Sequence, residues 1–272
     1  MVGSFDGTYA VQPKLDAFLN QYRFEKLQFI AACGFESRTP VILERLAESI
    51  QRGAEVECTI LDLVNRNDPS FSKARMLQRG NMKRLIGIAS GRNWKLRKIV
   101  ADLYSGRTVG SRPLLRTLKS ILQGFSGDFL VDISALPRSI FFPALKILWE
   151  TRRSRNLFVA YTEDPSVGAL EKQAKDFRPP SFISLFSPRR SLADFSVWFP
   201  VLGSDHRPIS AIQKRSTFND VYPVVGFPST RPIETDEIVR RNGSIVSDRN
   251  DKLIFASMND PFQLSMKLNS TI

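Results

Sequence analysis

The sequence predicts an α/β fold in which a doubly wound, mainly parallel sheet is followed by a second, partial α/β unit. Three observations lead to this prediction. Short apolar runs alternate with longer amphipathic stretches along residues 1–165 of the 272-residue chain. The apolar runs are nearly continuous, as is typical of strands that helices cover on both faces. The same alternation resumes after residue 190, which indicates a second unit of the same class.

Five strands and four helices are predicted in the first of these units. The predicted strands are residues 27–33, 56–64, 96–104, 129–133 and 157–161. The predicted helices, which carry apolar residues at helical spacing, are residues 40–51, 72–88, 113–122 and 137–151. Ser37 or Thr39 is expected to cap the first of these helices, with Pro40 in its first position. This βαβ order indicates a Rossmann-like parallel sheet.

We divide the chain into a Rossmann-like domain at 1–165, a proline-rich linker region at 166–190 and a second α/β unit at 191–272. Two short segments recur at an offset of 192 residues, which predicts an internal duplication. Coincidence is the alternative, because Gly, Asn, Asp and Pro are common in such loops. The paired segments are Gly34–Pro40 with Gly226–Pro232, and Asn67–Pro69 with Asn259–Pro261. A duplicated second unit is incomplete, so we expect a truncated member of a longer family.

The scarcity of Cys and His excludes several classes of site. Cys33 and Cys58 are the two cysteines, and His206 is the one histidine. Disulfide frameworks, four-cysteine zinc sites and HExxH proteases are therefore excluded, and we expect no metal and no cofactor. The amino terminus does not resemble a signal peptide, and no apolar run is long enough to cross a membrane. We expect a cytoplasmic protein with reduced thiols and no membrane contact.

The positive charge is concentrated in one stretch of the sequence. The chain carries 39 Lys and Arg against 27 Asp and Glu, a net charge of +12. Residues 73–127 hold thirteen basic side chains and one acid, which accounts for all of this excess. An anionic partner such as nucleic acid is one interpretation, and a solvated helix face is the other. The candidate phosphate contacts are Lys83, Arg84, Arg92, Lys95, Arg97 and Lys98.

The loops after the first and fourth strands are the candidate ligand site, because open parallel sheets bind ligands where the strand order reverses. Gly34 permits a sharp turn or a close approach to a ligand, and Arg38 places a cation near a helix N-terminus. Asp132 is expected to hold Arg38 or Arg138, or to bind a ligand hydroxyl, whereas Ser134 is expected to cap the next helix. Alternatively, an Asp–Arg pair only ties the loops together. The candidate ligand-binding residues are Gly34, Phe35, Glu36, Ser37, Arg38, Asp132, Ser134, Arg138, Ser139 and Thr162.

The fourth-strand loop also carries a family resemblance. Asp132-x-Ser134-x-x-x-Arg138 resembles the [DN]-x-[ST]-x-x-x-[RK] signature of CARF domains, which are Rossmann-like sensors of cyclic oligonucleotides in prokaryotic antiviral systems. The related SAVED domains resemble two fused CARF units, which suits the suspected duplication. The resemblance implies that these three residues contact the ligand together with the loop Gly34–Arg38. It also implies a two-fold ligand interface and hence a homodimer. Because no effector domain is identified, the output is expected in a missing segment or a partner protein.

Three functions remain open at this point. The first is the CARF-like nucleotide sensor. The second is an enzyme acting on a nucleotide or sugar phosphate, with Glu36 or Asp132 as general acid/base and Arg38 and Arg138 as phosphate clamps. The third is a nucleic-acid-binding protein that uses the basic segment. No GxxxxGK[ST] motif is present, so a P-loop NTPase is not predicted, and Cys33 is expected to be a buried core thiol.

Overall fold

The computed structural model describes eight stretches of the chain, which are residues 14–51, 53–64, 72–102, 111–151, 156–162, 196–228, 233–257 and 261–271. These residues form two compact units, one between residues 14 and 162 and the other between residues 196 and 271. The predicted linker at 166–190 lies outside the described residues.

The first unit alternates helices with strands, as the sequence predicts. Its elements are α1 (Lys14–Gln21), β1 (Lys26–Ala32), α2 (Val41–Ser49), β2 (Glu55–Val64), α3 (Ser72–Gly91), β3 (Lys95–Asp102), α4 (Ser111–Gln123), β4 (Asp128–Asp132), α5 (Arg138–Thr151) and β5 (Leu157–Ala160). All five predicted strands and all four predicted helices are present, with shifts of a few residues at their ends. The short helix α1 was not predicted.

The five strands form one parallel sheet in the order β3-β2-β1-β4-β5. This arrangement confirms the predicted α/β class with a Rossmann-like sheet, in which β1 and β4 are neighbours. Ala31 of β1 lies opposite Ile60 of β2 on one side and Asp132 of β4 on the other. Because the three strands run in the same direction, the loops that follow them leave from the same edge of the sheet.

Helices cover both faces of this sheet. Leu27, Phe29 and Ala31 of β1 are buried in a cluster with apolar side chains of α1, α2 and α3. Ile30 and Ala32 of the same strand are buried in a second cluster with α4 and α5. Successive side chains of a strand point to opposite faces, so the alternation along β1 assigns each pair of crossover helices to its own side. The change of side occurs between β1 and β4.

The second unit is smaller, and its paired strands are also parallel. Its elements are β6 (Val197–Trp198), α6 (Arg207–Gln213), β7 (Asp220–Val221), β8 (Val224–Gly226), α7 (Glu234–Arg241), α8 (Gly243–Val246), a 3-10 helix (Asn250–Lys252), β9 (Ile254–Ala256) and α9 (Pro261–Thr271). Strand β6 pairs with β7, and β8 pairs with β9. A small core lies between them, formed by Leu202, Ile209, Val221, Ile245 and Val246. Strands alternate with helices here, as predicted, but α6, α8 and the 3-10 helix were not predicted. The single strand predicted over residues 221–225 is divided between β7 and β8, which belong to different sheets.

The suspected duplication remains a prediction. Strand β8 connects to its parallel partner β9 through helices, which is the same kind of connection that joins β1 to β2. Gly226 ends β8, whereas Gly34 lies shortly beyond the end of β1. Nine of the twenty residues in the recurring segments, namely residues 67–69, 229–232, 259 and 260, lie outside the described residues.

Candidate ligand site at the strand ends

The loops after β1 and β4 touch each other at the edge of the sheet. Gly34 lies so close to Ala135 that a Cβ added to Gly34 would come within 2.8 Å of the Ala135 Cβ, and within 3.1 Å of the Thr39 hydroxyl. Contacts at 2.8 Å are shorter than packed carbon atoms tolerate. Gly34 is therefore required for the close approach of the two loops, whereas its predicted approach to a ligand stays a prediction.

Asp132 and Ser134 form a buried hydrogen-bond network that connects the ends of β4 and β5. The Ser134 backbone N–H donates to the Asp132 carboxylate at 2.9 Å, and the Ser134 hydroxyl accepts from the Thr162 N–H at 2.8 Å. Asp132 is only 2% exposed, and Ser134 is only 5% exposed. Burial raises the pKa of Asp132 to about 6, although its hydrogen bonds to Ser134 and the nearby Arg38 charge act in the opposite direction.

Arg38 extends from the β1 loop to the end of β5. Its Nε donates to the Glu36 carboxylate at 2.5 Å, and its Nη1 donates to the Thr162 carbonyl at 3.1 Å and the Tyr161 hydroxyl at 3.3 Å. The guanidinium carbon lies 5.6 Å from the centre of the Tyr161 ring. Arg38 therefore links two predicted site residues, Glu36 and Thr162, with the neighbouring Tyr161.

Several predicted site residues of the loops after β1 and β4 remain accessible. Phe35 is 48% exposed and Tyr161 is 60% exposed, whereas most aromatic side chains of this unit are packed in its core. Ser37 and Arg138 are exposed, and Ser139 is half-buried. Among the described residues, Arg138 forms no hydrogen bond or ion pair. The accessible part of the site thus offers two rings, two hydroxyl groups and a free guanidinium.

The expected pairing of Asp132 with Arg38 or Arg138 is not observed among the described residues. Arg38 instead pairs with Glu36, which lies two residues before it in the same loop. Burial explains why Asp132 does not pair with either arginine, because its carboxylate is enclosed and accepts a hydrogen bond from the Ser134 N–H.

The predicted helix caps were wrong. Helix α2 begins at Val41 with Pro40 in the capping position, and no side-chain hydrogen bond caps it. The Thr39 hydroxyl is buried and without a hydrogen-bond partner in the described structure. Ser134 lies one turn too early to cap α5, because the Pro137 carbonyl accepts the first helical hydrogen bonds. The Ser134 hydroxyl binds the Thr162 N–H instead.

Helix α3 supplies two amides that the sequence interpretation missed. Asn81 donates to the carbonyl oxygens of Gly34 and Glu36, at 3.0 and 2.8 Å, and thereby holds the β1 loop. Gln78 donates to the Cys33 carbonyl at 2.8 Å and to the Asp62 carboxylate at 3.1 Å. Both amides lie on the side of α3 that faces β1 and β2, three residues apart, and polar residues at that spacing within a core-facing stripe were the available signal.

Asp62, which lies in β2, is engaged in ion pairs. Its two carboxylate oxygens contact Arg75 at 3.1 Å and Lys98 at 2.8 Å. The residue is 5% exposed. The Asp62 carboxylate is therefore held by two cations inside the unit.

The two cysteines are core thiols, which confirms the expectation for Cys33. Both are free and buried, and burial raises the pKa of each thiol to about 12. A thiol with such a pKa is almost entirely protonated at neutral pH and is a poor nucleophile.

The candidate phosphate contacts on α3 and β3 do not form one free basic surface. Arg84 pairs with Glu44, Lys95 with Glu55 and Glu57, and Lys98 with Asp62, so acids from α2 and β2 neutralise part of the segment. Arg92 donates to the Ile50 carbonyl at 3.0 Å. Within the described chain, Lys83 and Arg97 are exposed and contact no carboxylate.

The described residues contain no cluster of three or more His, Cys, Asp or Glu side chains that is suited to a metal ion. In the same part of the chain, no helix combines the length and the apolar character that a membrane crossing needs.

A scan of protein-family models and a search of curated proteins find no match to this sequence.

Proposed function

We propose that the chain binds a phosphate-bearing nucleotide at the carboxyl ends of β1, β4 and β5, and that it acts as a sensor resembling CARF and SAVED domains. The observation that carries the proposal is the position of Arg38 beside the exposed ring of Tyr161, with 5.6 Å between the guanidinium carbon and the ring centre. A guanidinium suits a phosphate group, and an exposed aromatic ring suits the face of a base. The two groups together fit a nucleotide better than an inorganic anion or a neutral metabolite.

The roles of the motif residues differ in this proposal from those that the family resemblance implies. Arg138 is exposed and has no partner in the described structure, so it is suited to a second phosphate. Asp132 and Ser134 are buried, so they act by holding the ends of β4 and β5 in place. Ser37 and Thr162 are available at the rim for hydrogen bonds to sugar hydroxyl groups.

The biological context rests on the resemblance alone. A cyclic oligonucleotide ligand, antiviral defence and an output through an effector protein or a second copy of the chain are what CARF-like sensors imply.

Isothermal titration with a panel of cyclic and linear oligonucleotides tests the proposal. We expect at least one member to bind, and we expect Arg38→Ala and Arg138→Ala each to weaken that binding by about tenfold or more, because each removes a charge-assisted contact. Arg45→Ala is the matched control, since Arg45 is an exposed α2 arginine that pairs with Glu48. No binding by any member, or equal losses in all three variants, contradicts the proposal.

The enzyme alternative assigns the general acid/base role to Asp132, because burial raises its pKa toward the range in which such a group works. Mass spectrometry of the same nucleotides after incubation with the protein distinguishes the two functions. A sensor leaves their masses unchanged, whereas an enzyme converts at least one of them, and Asp132→Asn abolishes that conversion.

A further inference from the structure

Glu36 already occupies an anion-binding position on Arg38. Its carboxylate accepts from the Arg38 Nε at 2.5 Å. The arginine side chain is 15% exposed and the glutamate side chain is 26% exposed, so the pair is only partly solvated. The other donors in use belong to Nη1, which contacts Tyr161 and Thr162. An incoming phosphate therefore meets a guanidinium with a carboxylate already bound.

The backbone around Glu36 is held in place. The Asn81 amide donates to the carbonyl oxygens of Gly34 and Glu36, and Gly34 packs directly against Ala135. A carboxylate on a fixed backbone two residues before its arginine loses little further freedom when it forms the ion pair. The pair is therefore a persistent competitor for external anions.

We propose that Glu36 is an internal competitor that an anionic ligand must displace from Arg38 before it can bind. This inference rests on the proposed function, because it takes Arg38 as the cation that binds phosphate. A phosphate that binds the Nε edge of the Arg38 guanidinium needs the donor that the Glu36 carboxylate holds, and the two anions repel each other, so both cannot occupy that edge together.

The consequence is that the site selects anions that make contacts beyond Arg38. The need to displace Glu36 lowers the affinity of every anion that binds Arg38 by the same factor, whatever else that anion contacts. Small, abundant anions have no other contact to offset this loss and leave the site empty. A nucleotide gains further contacts from the exposed rings of Phe35 and Tyr161 and remains bound.

The test compares Glu36→Gln with the wild-type full-length chain, using inorganic pyrophosphate and the oligonucleotide panel as probes. Glutamine keeps the size of the side chain and removes its charge. We expect pyrophosphate and any bound oligonucleotide to bind about ten- to a hundredfold more tightly to Glu36→Gln, by the same factor. Glu48→Gln is the matched control, because it makes the same change of charge on the exposed end of α2. It should leave both affinities unchanged.

A measurement on the wild-type protein keeps the inference testable if a variant folds poorly. In the wild-type protein, NMR should show a slowly exchanging Arg38 Nε–H resonance, and added pyrophosphate should shift it as Glu36 is displaced. The resonance should exchange faster in Glu36→Gln, while far-UV circular dichroism stays the same.

The outcomes separate this inference from the proposed function. Unchanged or weaker binding of both probes to Glu36→Gln overturns the proposal that Glu36 competes for Arg38, even where oligonucleotides bind. A gain for pyrophosphate without any oligonucleotide binding supports the competitor and overturns the nucleotide sensor. Absence of binding of either probe to either protein overturns both.

Discussion

Arg38 makes contacts that a lysine at the same position would lose. The planar guanidinium donates through Nε to Glu36 and through Nη1 to Tyr161 and Thr162, so one side chain connects the β1 loop to the end of β5. Lysine carries a compact charge on a flexible stem and does not reproduce this fork. The identity of residue 38 therefore matters for the geometry of the site as well as for its charge.

Asp132 makes the stability of the first unit depend on pH. Its pKa is about 6 in the folded chain, against an ordinary value of 3.8. Between these values the folded state binds more protons than the unfolded state, so the contribution of Asp132 to stability falls as the pH rises from 4 to 6. We expect Asp132→Asn to gain on the order of 2–3 kcal/mol in free energy of unfolding relative to wild type between pH 4 and pH 7.

Urea unfolding of both proteins over this pH range measures the difference. The exposed-site variant Glu48→Gln serves as the control and should track the wild type closely. A difference between Asp132→Asn and wild type that stays constant, or that shrinks as the pH rises, would show that the Asp132 pKa is not raised.

At the scale of elements, the contact between the β1 and β4 loops depends on a single missing methyl group. Gly34→Ala places a Cβ 2.8 Å from that of Ala135, so we expect it to cost roughly 1–3 kcal/mol in free energy of unfolding. The double variant Gly34→Ala, Ala135→Gly should recover part of this loss, because the Ala135 Cα lies at an ordinary 3.9 Å.

Chemical denaturation of the two single variants and the double variant gives the coupling energy of the pair. Gly80→Ala is the control, since a Cβ at Gly80 on α3 meets nothing within 4 Å. Alanine at that helical position should be neutral or slightly stabilising. Strictly additive effects of the two loop substitutions would refute a direct contact between residues 34 and 135.

The sequence carries information about elements more completely than about their side-chain partners. Apolar periodicity and strand order predict that β1 and β4 are neighbours and that their loops meet, because both follow from burial and chain connectivity. The partners of Ser134 and Asn81 depend instead on how a distant element is oriented. Ser134 binds Thr162, 28 residues away, and Asn81 binds Gly34, 47 residues away. Capping rules consider only partners a few residues apart in the sequence, which is why the predicted cap at Ser134 was wrong.

For the molecule as a whole, the net charge of +12 overstates the free positive surface of its basic segment. Three of the six candidate phosphate contacts are paired with acids that precede them in the chain, on α2 and β2. Exposed ion pairs are weak, and a phosphate competes with the acid for the same cation. Among these six candidates, any nucleic-acid binding should therefore depend most on Lys83 and Arg97, which are exposed and contact no carboxylate in the described part of the chain.

We accordingly expect weak binding to duplex DNA that falls as salt is added. The slope of log K against log salt is negative, and each lost phosphate contact makes it shallower by about 0.9. The double variant Lys83→Ala, Arg97→Ala should therefore flatten the slope by roughly 2. Lys214→Ala with Arg215→Ala removes the same charge from the second unit and is the matched control. Fluorescence anisotropy over a salt series measures both slopes. Equal slopes in the two double variants would mean that DNA responds to the total charge, and binding insensitive to salt would exclude phosphate contacts altogether.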